Sequence, residues 1–377
     1  MKRLLFSLLA LSIGLTASAQ GNNTRDGGQD SDDIKSLWEL VTKQEKKNDG
    51  FNLYFNYAAS FQEGVNPFSS AFKAKQLRIE IKGTFGKHLS YRYRQRLNKA
   101  RADQDDNLAK GIDVMMLGWK FNDKVSLSLG KMCQIWGGFE FDENPMFIYQ
   151  YSDMLDYMDN FMTGGMVSWF PVPSQEIAFM VTNAYTSKRI YEGFEPSAHP
   201  LTYILNWNGS LFGGVLNTRW AAGVQTEAKG KYSSMLTLGT QLALPKFQFY
   251  VDYMGEFDQL DRLGIVTEDL GINTDVNYHS IIAKANLQFA PKWNLMGKGM
   301  YELASVRPST AQNLGNYRQS IGWVGSIEFY PVQGQDLRFF LAYVGRNHHF
   351  TQASGIAAAN GTTHRIELGF MYRIKCY

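Results

Sequence analysis

From Phe51 almost to the C-terminus, apolar and polar residues alternate with a period of two. In one segment Tyr91 and Tyr93 alternate with Arg92 and Arg94, and residues 363–377 show the same pattern. A period of two places an apolar face and a polar face on each β-strand. The pattern therefore predicts an all-β fold in which every strand separates two different environments.

Sixteen segments carry this alternation. We predict strands at 51–62, 72–85, 87–99, 110–122, 124–132, 162–171, 174–185, 200–208, 213–227, 231–244, 246–257, 277–290, 292–304, 318–331, 336–347 and 363–377. A content of 14% aromatic residues and 35 glycines fits aromatic strands joined by glycine-containing turns. Because no linker divides the chain in the middle, we expect one large domain.

The connections between the predicted strands alternate in length. Those at 86–87 and 122–123 are short, whereas 133–161 and 258–276 are long and polar. Short periplasmic turns opposed to long extracellular loops are the arrangement of outer-membrane barrels. An even strand number also lets the sheet close, which removes edges that lipid could not satisfy. A soluble β-sandwich would explain the alternation but not the asymmetry of the connections.

Tryptophans mark the same end of the predicted strands. Trp119, Trp169, Trp207 and Trp293 each fall within about three residues of a short turn, where an aromatic girdle at the membrane interface would lie. We therefore predict a transmembrane antiparallel β-barrel of about sixteen strands over residues 51–377, in contact with outer-membrane lipid.

The N-terminus carries an export signal. Lys2 and Arg3 precede an apolar run at 4–15, and small residues at 17–19 end a predicted signal peptide over residues 1–19. Residues 20–50 then form a polar periplasmic leader with a short helix predicted within 31–46, where apolar residues recur at helical spacing. Nothing after residue 20 approaches the roughly 18 apolar residues of a membrane helix.

Charge and cysteine content add little to this prediction. The formal net charge is +3, and loss of Lys2 and Arg3 with the signal leaves about +1, which names no partner. Cys133 and Cys376 fall at opposite faces of the predicted barrel, too far apart for the Cα separation of under about 7 Å in a disulfide. We expect both thiols to be free.

A row of basic residues lies on the polar, lumen-facing parity of two neighbouring strands. Arg92, Arg94 and Arg96 alternate on one strand, beside Arg78 and Lys82 on the other. Guanidinium groups at about 6.6 to 7 Å spacing along a strand would hold a phosphate or carboxylate weakly and pass it on. These five residues are the predicted basic lining of a pore.

The alternative interpretation is that the arginines pair with nearby acids such as Glu80 and only solubilise the wall. Charge elsewhere in the predicted lumen is mixed. The inward positions include Lys284, Lys298, Arg338, Asp252, Glu302 and Glu328. Both interpretations place the basic row inside the barrel.

One stretch of sequence resembles a known family. It comprises Gly130-Lys131-Met132, Trp136-Gly137-Gly138-Phe139-Glu140, Asn144-Pro145, Tyr149-Gln150-Tyr151-Ser152 and Phe161. These motifs are similar to those of the phosphate-selective porin O and P family as it occurs in Bacteroidota. The resemblance extends from about residue 50 to the end. It implies a sixteen-stranded pore, frequently a homotrimer, with the third long loop folded into the lumen.

That third loop is acidic. Between Lys131 and Lys188 there is no lysine or arginine, and the acids within 133–161 are Glu140, Asp142, Glu143, Asp153, Asp156 and Asp159. If the loop folds inward, we expect its carboxylates to face the arginine row across a narrow gap and to sort polar solutes in a transverse field. Hard cations prefer several carboxylates, so Asp142, Glu143, Asp153 and Asp156 are candidates for a calcium site. Their spacing matches no defined calcium-binding loop.

The sequence therefore predicts an outer-membrane porin of a Gram-negative bacterium that passes small polar or anionic solutes, with phosphate as one candidate. The alternative is a barrel without transport, acting in adhesion or in a surface complex. None of the six histidines lies in a catalytic or metal-binding motif, so we predict no enzyme, metal or cofactor. No motif indicates binding to nucleic acid.

Overall fold

The structure is a computed structural model. It describes residues 35–44, 49–65, 68–99, 104–105, 108–184, 193–307 and 314–377. The predicted signal peptide at 1–19 lies outside the described residues, as does most of the leader.

In the described part of the chain, sixteen antiparallel strands form a closed barrel, which confirms the predicted fold class and strand number. The barrel strands are β1 (Asn52–Val65), β2 (Ser69–Phe85), β3 (Leu89–Arg96), β6 (Ile112–Asn122), β7 (Val125–Cys133), β8 (Phe161–Trp169), β9 (Gln175–Asn183), β10 (Leu201–Leu211), β11 (Leu216–Thr226), β12 (Tyr232–Leu244), β13 (Phe247–Leu260), β14 (Thr274–Ala290), β15 (Trp293–Val306), β16 (Gly315–Phe329), β17 (Asp336–Phe350) and β18 (Gly361–Lys375).

Closure joins the first strand to the last. β1 pairs with β18 from Tyr54 opposite Lys375 to Val65 opposite His364. Each remaining barrel strand pairs with the barrel strand before it and the barrel strand after it in sequence, with β3 pairing with β6. No barrel strand is therefore left with an open edge. This satisfies the backbone groups that hydrocarbon would leave unpaired.

The alternation of the sequence becomes an inside and an outside. On β6, Met115, Leu117, Trp119 and Phe121 point outward and are exposed. In the aromatic band near the short turns, Trp119, Trp169 and Trp293 are 46%, 49% and 39% exposed. A band of apolar side chains flanked by aromatics is what a barrel presents to lipid.

The long connections contain more regular structure than predicted. Strands β4 (Gln104–Asp105) and β5 (Leu108–Ala109) form a small separate hairpin where the sequence predicted a loop. Short helices within the described residues are α1 (Leu37–Thr42), α2 (Phe139–Asp142), α3 (Asp153–Tyr157) and α4 (Ile265–Leu270). The 3-10 turns are Pro145–Phe147, Phe212–Gly214, Gln352–Ser354 and Ala357–Ala359. No helix among the described residues is long and apolar enough to span a bilayer.

Helix α1 lies in the segment where the leader helix was predicted. The Ser36 side chain accepts from the backbone N–H of Glu39, and Glu39 reaches back to the Ser36 N–H, which is a capping box. The Trp38 N–H donates to the carbonyl of Cys376 at 3.1 Å, and its ring packs edge-on against Tyr377. The helix is thus attached where β1 and β18 close the barrel.

Candidate functional site in the barrel lumen

The third loop, residues 134–160 between β7 and β8, lies inside the barrel. Three consecutive carbonyl groups at 149–151 accept hydrogen bonds from basic side chains of the wall. The donors are Lys75 and Arg365 to Tyr149, Lys298 to Gln150, and Arg346 to Tyr151, at 2.7–3.2 Å. These donors belong to β2, β15, β17 and β18, so the loop reaches far across the lumen.

Asp252 on β13 fixes the start of the loop's first helix. Its carboxylate accepts from the backbone N–H of Phe139 at 2.9 Å and of Glu140 at 2.8 Å. Gly138, just before them, has φ of 79° and donates its N–H to the carbonyl of Arg219 at 2.8 Å. Only glycine adopts such a φ at little cost. One wall carboxylate therefore caps α2 and holds it against the strands.

A recess in the wall receives the ring of Trp136. A Cβ atom at Gly223 would lie 2.6 Å from this ring, so only a glycine leaves enough room. The indole N–H donates to Gln134 at 3.0 Å, and the Gln134 amide donates to Thr182 at 2.8 Å. The Trp-Gly-Gly part of the motif is thus explained by close contact between the loop and the wall.

Apolar side chains of the loop pack on methionines that point inward from the wall. The buried loop residues include Trp136, Phe139, Met146, Met154, Leu155 and Met158, and the wall methionines include Met180, Met235, Met254, Met296 and Met300. Methionine adapts its shape to irregular gaps. This core was not predicted from the sequence. Methionines at inward-facing strand positions, which otherwise carry polar residues, could have indicated it.

Four of the predicted loop acids form ion pairs with one part of the wall. Glu140 pairs with Lys298, Asp142 with Arg219, Glu143 with Lys284, and Asp153 with both Arg318 and Arg346. We call Arg219, Lys284, Lys298, Arg318 and Arg346 the loop-bound wall. The other two acids, Asp156 and Asp159, are exposed. Desolvation raises the pKa of Asp156, and Arg346 acts in the opposite direction.

The predicted basic row lies on neighbouring strands, as its parity implied. In the register of β2 and β3, Arg78 lies opposite Arg96, Glu80 opposite Arg94, and Lys82 opposite Arg92. We call this group, together with Asp113 of β6, the arginine wall. Arg92 and Arg96 have side chains that are 12% and 27% exposed, whereas Arg78 and Arg94 are buried.

Among the described residues, the carboxylates that pair with the arginine wall come from the strands of the wall itself. Arg78, Arg94 and Arg96 lie 3.7, 3.6 and 2.8 Å from Asp113. The guanidinium of Arg92 lies 2.8 Å from Glu80. The Lys82 ammonium lies over the ring of Tyr54, 5.2 Å from its centre.

The structure thus differs from the expected arrangement, in which the loop acids face the arginine row. Their partners lie on β11 and β14–β17, because the apolar side of the loop and its anchor on Asp252 place them there. Near the arginine wall the loop presents Tyr151 instead. Burial raises the pKa of the Tyr151 hydroxyl, and Arg78 and Arg94 oppose that shift.

The described residues contain no group of three or more His, Cys, Asp or Glu side chains that could hold a metal ion. In particular, Asp142, Glu143 and Asp153 are engaged by basic side chains. Cys133, at the end of β7, and Cys376, after β18, are not joined in a disulfide.

The chain is similar to known porins in sequence and in fold. The family model of the phosphate-selective porin O and P matches residues 51–374. No curated protein sequence matches. Among solved structures, the outer membrane channel DcaP of Acinetobacter baumannii is similar with a TM-score of 0.63 at 10% identity, covering 88% of this chain and 99% of that one.

Two further structures are similar over the whole barrel. OmpT of Vibrio cholerae has a TM-score of 0.56 at 11% identity, covering 88% of this chain and 99% of that chain. An anion-selective porin from Comamonas acidovorans has a TM-score of 0.56 at 10% identity, covering 86% and 99%. At such identities the likeness concerns the fold. The family match over nearly the whole chain shows that the protein belongs to the phosphate-selective porin O and P family, an outer-membrane channel of a Gram-negative bacterium and not an enzyme.

Proposed function

We infer that the chain is a passive porin for small anionic solutes, which pass along the arginine wall through a lumen narrowed by the third loop. Phosphate is one candidate solute. The observation that carries the proposal is the uneven distribution of charge inside the barrel. In the described ion pairs, Arg78, Arg92, Arg94, Arg96 and Arg373 share two carboxylates, those of Asp113 and Glu80.

On the other side of the lumen, positive charge is offset by the loop. Glu140, Asp142, Glu143 and Asp153 each pair with at least one cation of the loop-bound wall. In the ion pairs of the described residues, the excess of positive over negative charge therefore lies on the arginine wall. A low-dielectric cleft lined by one sign of charge concentrates ions of the other sign. An anion would exchange among guanidinium groups without binding tightly, as conduction requires.

Other properties belong to the same proposal. The Comamonas acidovorans porin, which has a similar fold, is anion-selective, and this supports the proposed passage of anions. We further propose that the chain assembles as a homotrimer in the outer membrane and that residues 1–19 are removed on export, as the sequence predicted. We also propose that the chain comes from Bacteroidota, because its motifs are similar to those of the family in that group.

Arg92 and Arg96 provide the test, because they are the partly exposed members of the wall. Replacing both by Gln should shift the reversal potential toward cations in planar bilayers at low salt. A charge at 4 Å contributes about 4 kcal/mol at an effective dielectric of 20. The shift should disappear near 1 M salt, where the Debye length is about 3 Å.

Lys229→Gln is the matched control. Lys229 lies in an exposed loop, where it pairs with Glu195, and its loss removes one positive charge outside the lumen, against the two removed by the double variant. If the double variant and this control have equal reversal potentials at low salt, anions do not follow the arginine wall. If correctly folded protein forms no channels at all, the non-transporting role in adhesion or in a surface complex replaces the porin proposal.

A further inference from the structure

The sixth loop, residues 261–273 between β13 and β14, is buried to a degree that its polar sequence did not predict. Asp261, Arg262, Leu263, Ile265 and Val266 are all buried. Connections at the end of a barrel ordinarily lie in solvent, because exposed backbone groups need water. This loop therefore packs against the rest of the protein instead of lying in solvent.

Asp261 gives the sixth loop a fixed shape. Its carboxylate accepts hydrogen bonds from the Tyr278 hydroxyl at 2.6 Å and from the backbone N–H of Gly264 at 2.9 Å. It also accepts from the backbone N–H and the hydroxyl of Thr267, both at 2.7 Å. The same Tyr278 hydroxyl receives the N–H of Val266 at 3.1 Å. One buried carboxylate thus ties the first turns of the loop to β14.

Arg262 makes the first contact between the two loops. Its guanidinium lies 5.1 Å from the centre of the Trp136 ring and 3.6 Å from the sulfur of Met158, both in the third loop. Glu256 of β13 pairs with the same guanidinium, and Asp258 accepts the Arg262 N–H at 3.0 Å. A buried cation over an indole face is attracted by the negative face of the ring, and more strongly where water is excluded.

Arg318 of β16 makes the second contact by bridging the loops. It lies 3.0 Å from Asp269 of α4 and 3.2 Å from Asp153 of α3. Met154 and Ile265, one from each loop, line the same small cavity beside this bridge. The two loops therefore meet at two separate places, Arg262 at one and the Arg318 bridge at the other.

We propose that the sixth loop clamps the third loop in the lumen, with Arg262 and Asp269 as its positioning residues. The width of the channel is then set by two loops acting as one unit. This inference rests on the proposed porin function for its effect on current, but the clamp itself is a property of the folded barrel. Loosening it should let the third loop move without changing the charge of the arginine wall.

Hydrogen–deuterium exchange of residues 134–160 in the folded barrel tests the clamp directly. Arg262→Gln and Asp269→Asn should each speed exchange in the third loop about tenfold, the equivalent of about 1.4 kcal/mol. Asp269→Asn keeps the shape of a partly exposed side chain, so it remains informative where Arg262→Gln fails to fold. Glu268→Gln is the matched control, since it removes one negative charge from an exposed side chain of the same helix α4.

Bilayer recordings of the same variants add the functional readout. Arg262→Gln and Asp269→Asn should show more frequent substates of higher conductance at an unchanged reversal potential. If third-loop exchange in both folded variants equals that of Glu268→Gln, the clamp is overturned. If exchange rises but even the unsubstituted protein forms no channels, the clamp stands and the porin proposal fails.

Discussion

On the loop-bound wall, Lys298 and Lys284 pair with Glu140 and Glu143 of the third loop, whereas on the arginine wall the guanidinium groups share Asp113 and Glu80 of the strands. Both walls have the same alternating sequence pattern, and both carry basic residues on the inward parity. What separates them is the source of the opposite charge. On the loop-bound wall much of it comes from the third loop, and in the described pairs of the arginine wall it comes from the sheet.

This difference assigns two roles to the same residue types. A basic side chain that pairs with a loop carboxylate contributes to the position of the loop. The loop carboxylate offsets the charge of that side chain. Where basic side chains outnumber the carboxylates that pair with them, their positive charge contributes to the electric field that solutes meet. Counting basic residues along the strands does not distinguish these roles, because only the folded loop decides between them.

Breaking the Lys298 pair should have the largest effect. In Lys298→Met, Glu140 remains as a buried carboxylate that still accepts from Ser152 but lacks its cation. Removing one partner of a buried pair costs about 3 to 5 kcal/mol. We expect the third loop to leave its position, with much faster hydrogen exchange at 134–160 and a higher single-channel conductance.

Arg96→Gln is the control for this prediction. It also removes one positive charge from the lumen, but Arg96 pairs with Asp113 of the sheet and not with the loop. Its exchange pattern at 134–160 should match that of the unsubstituted protein. Equal loosening of the loop in both variants would show that the two walls do not differ in the way described.

An intermediate effect is expected at Asp113, where the sign is opposite to that of the arginine substitutions. Asp113→Asn removes a carboxylate that Arg78, Arg94 and Arg96 share. The positive excess on the arginine wall then increases. The reversal potential at low salt should move toward anions, and the barrel should melt at a lower temperature because like charges are left together. A shift toward cations would contradict the assignment.

The sequence predicted the barrel well because its signal is local. Strand β3 was predicted at 87–99 and runs over Leu89–Arg96, and the parity of Arg92, Arg94 and Arg96 follows from the period of two. The partners of the loop acids were not predictable in this way. They depend on how the loop crosses the lumen, which is set by contacts distant in sequence, such as Asp252 with Phe139 and Gly223 with Trp136.

The smallest effect concerns Asp156, an exposed acid of the third loop. Its pKa is raised above 3.8 by desolvation, so it binds a proton at a higher pH than an ordinary aspartate. As the pH falls, its negative charge is therefore lost early, and anion preference should rise slightly. Asp156→Asn should show that slightly raised preference at neutral pH and a flatter pH dependence. Reversal potentials measured across a pH series decide this. If Asp156→Asn and the unsubstituted channel follow the same curve, Asp156 lies outside the field that solutes cross, and the early proton uptake has no part in selectivity.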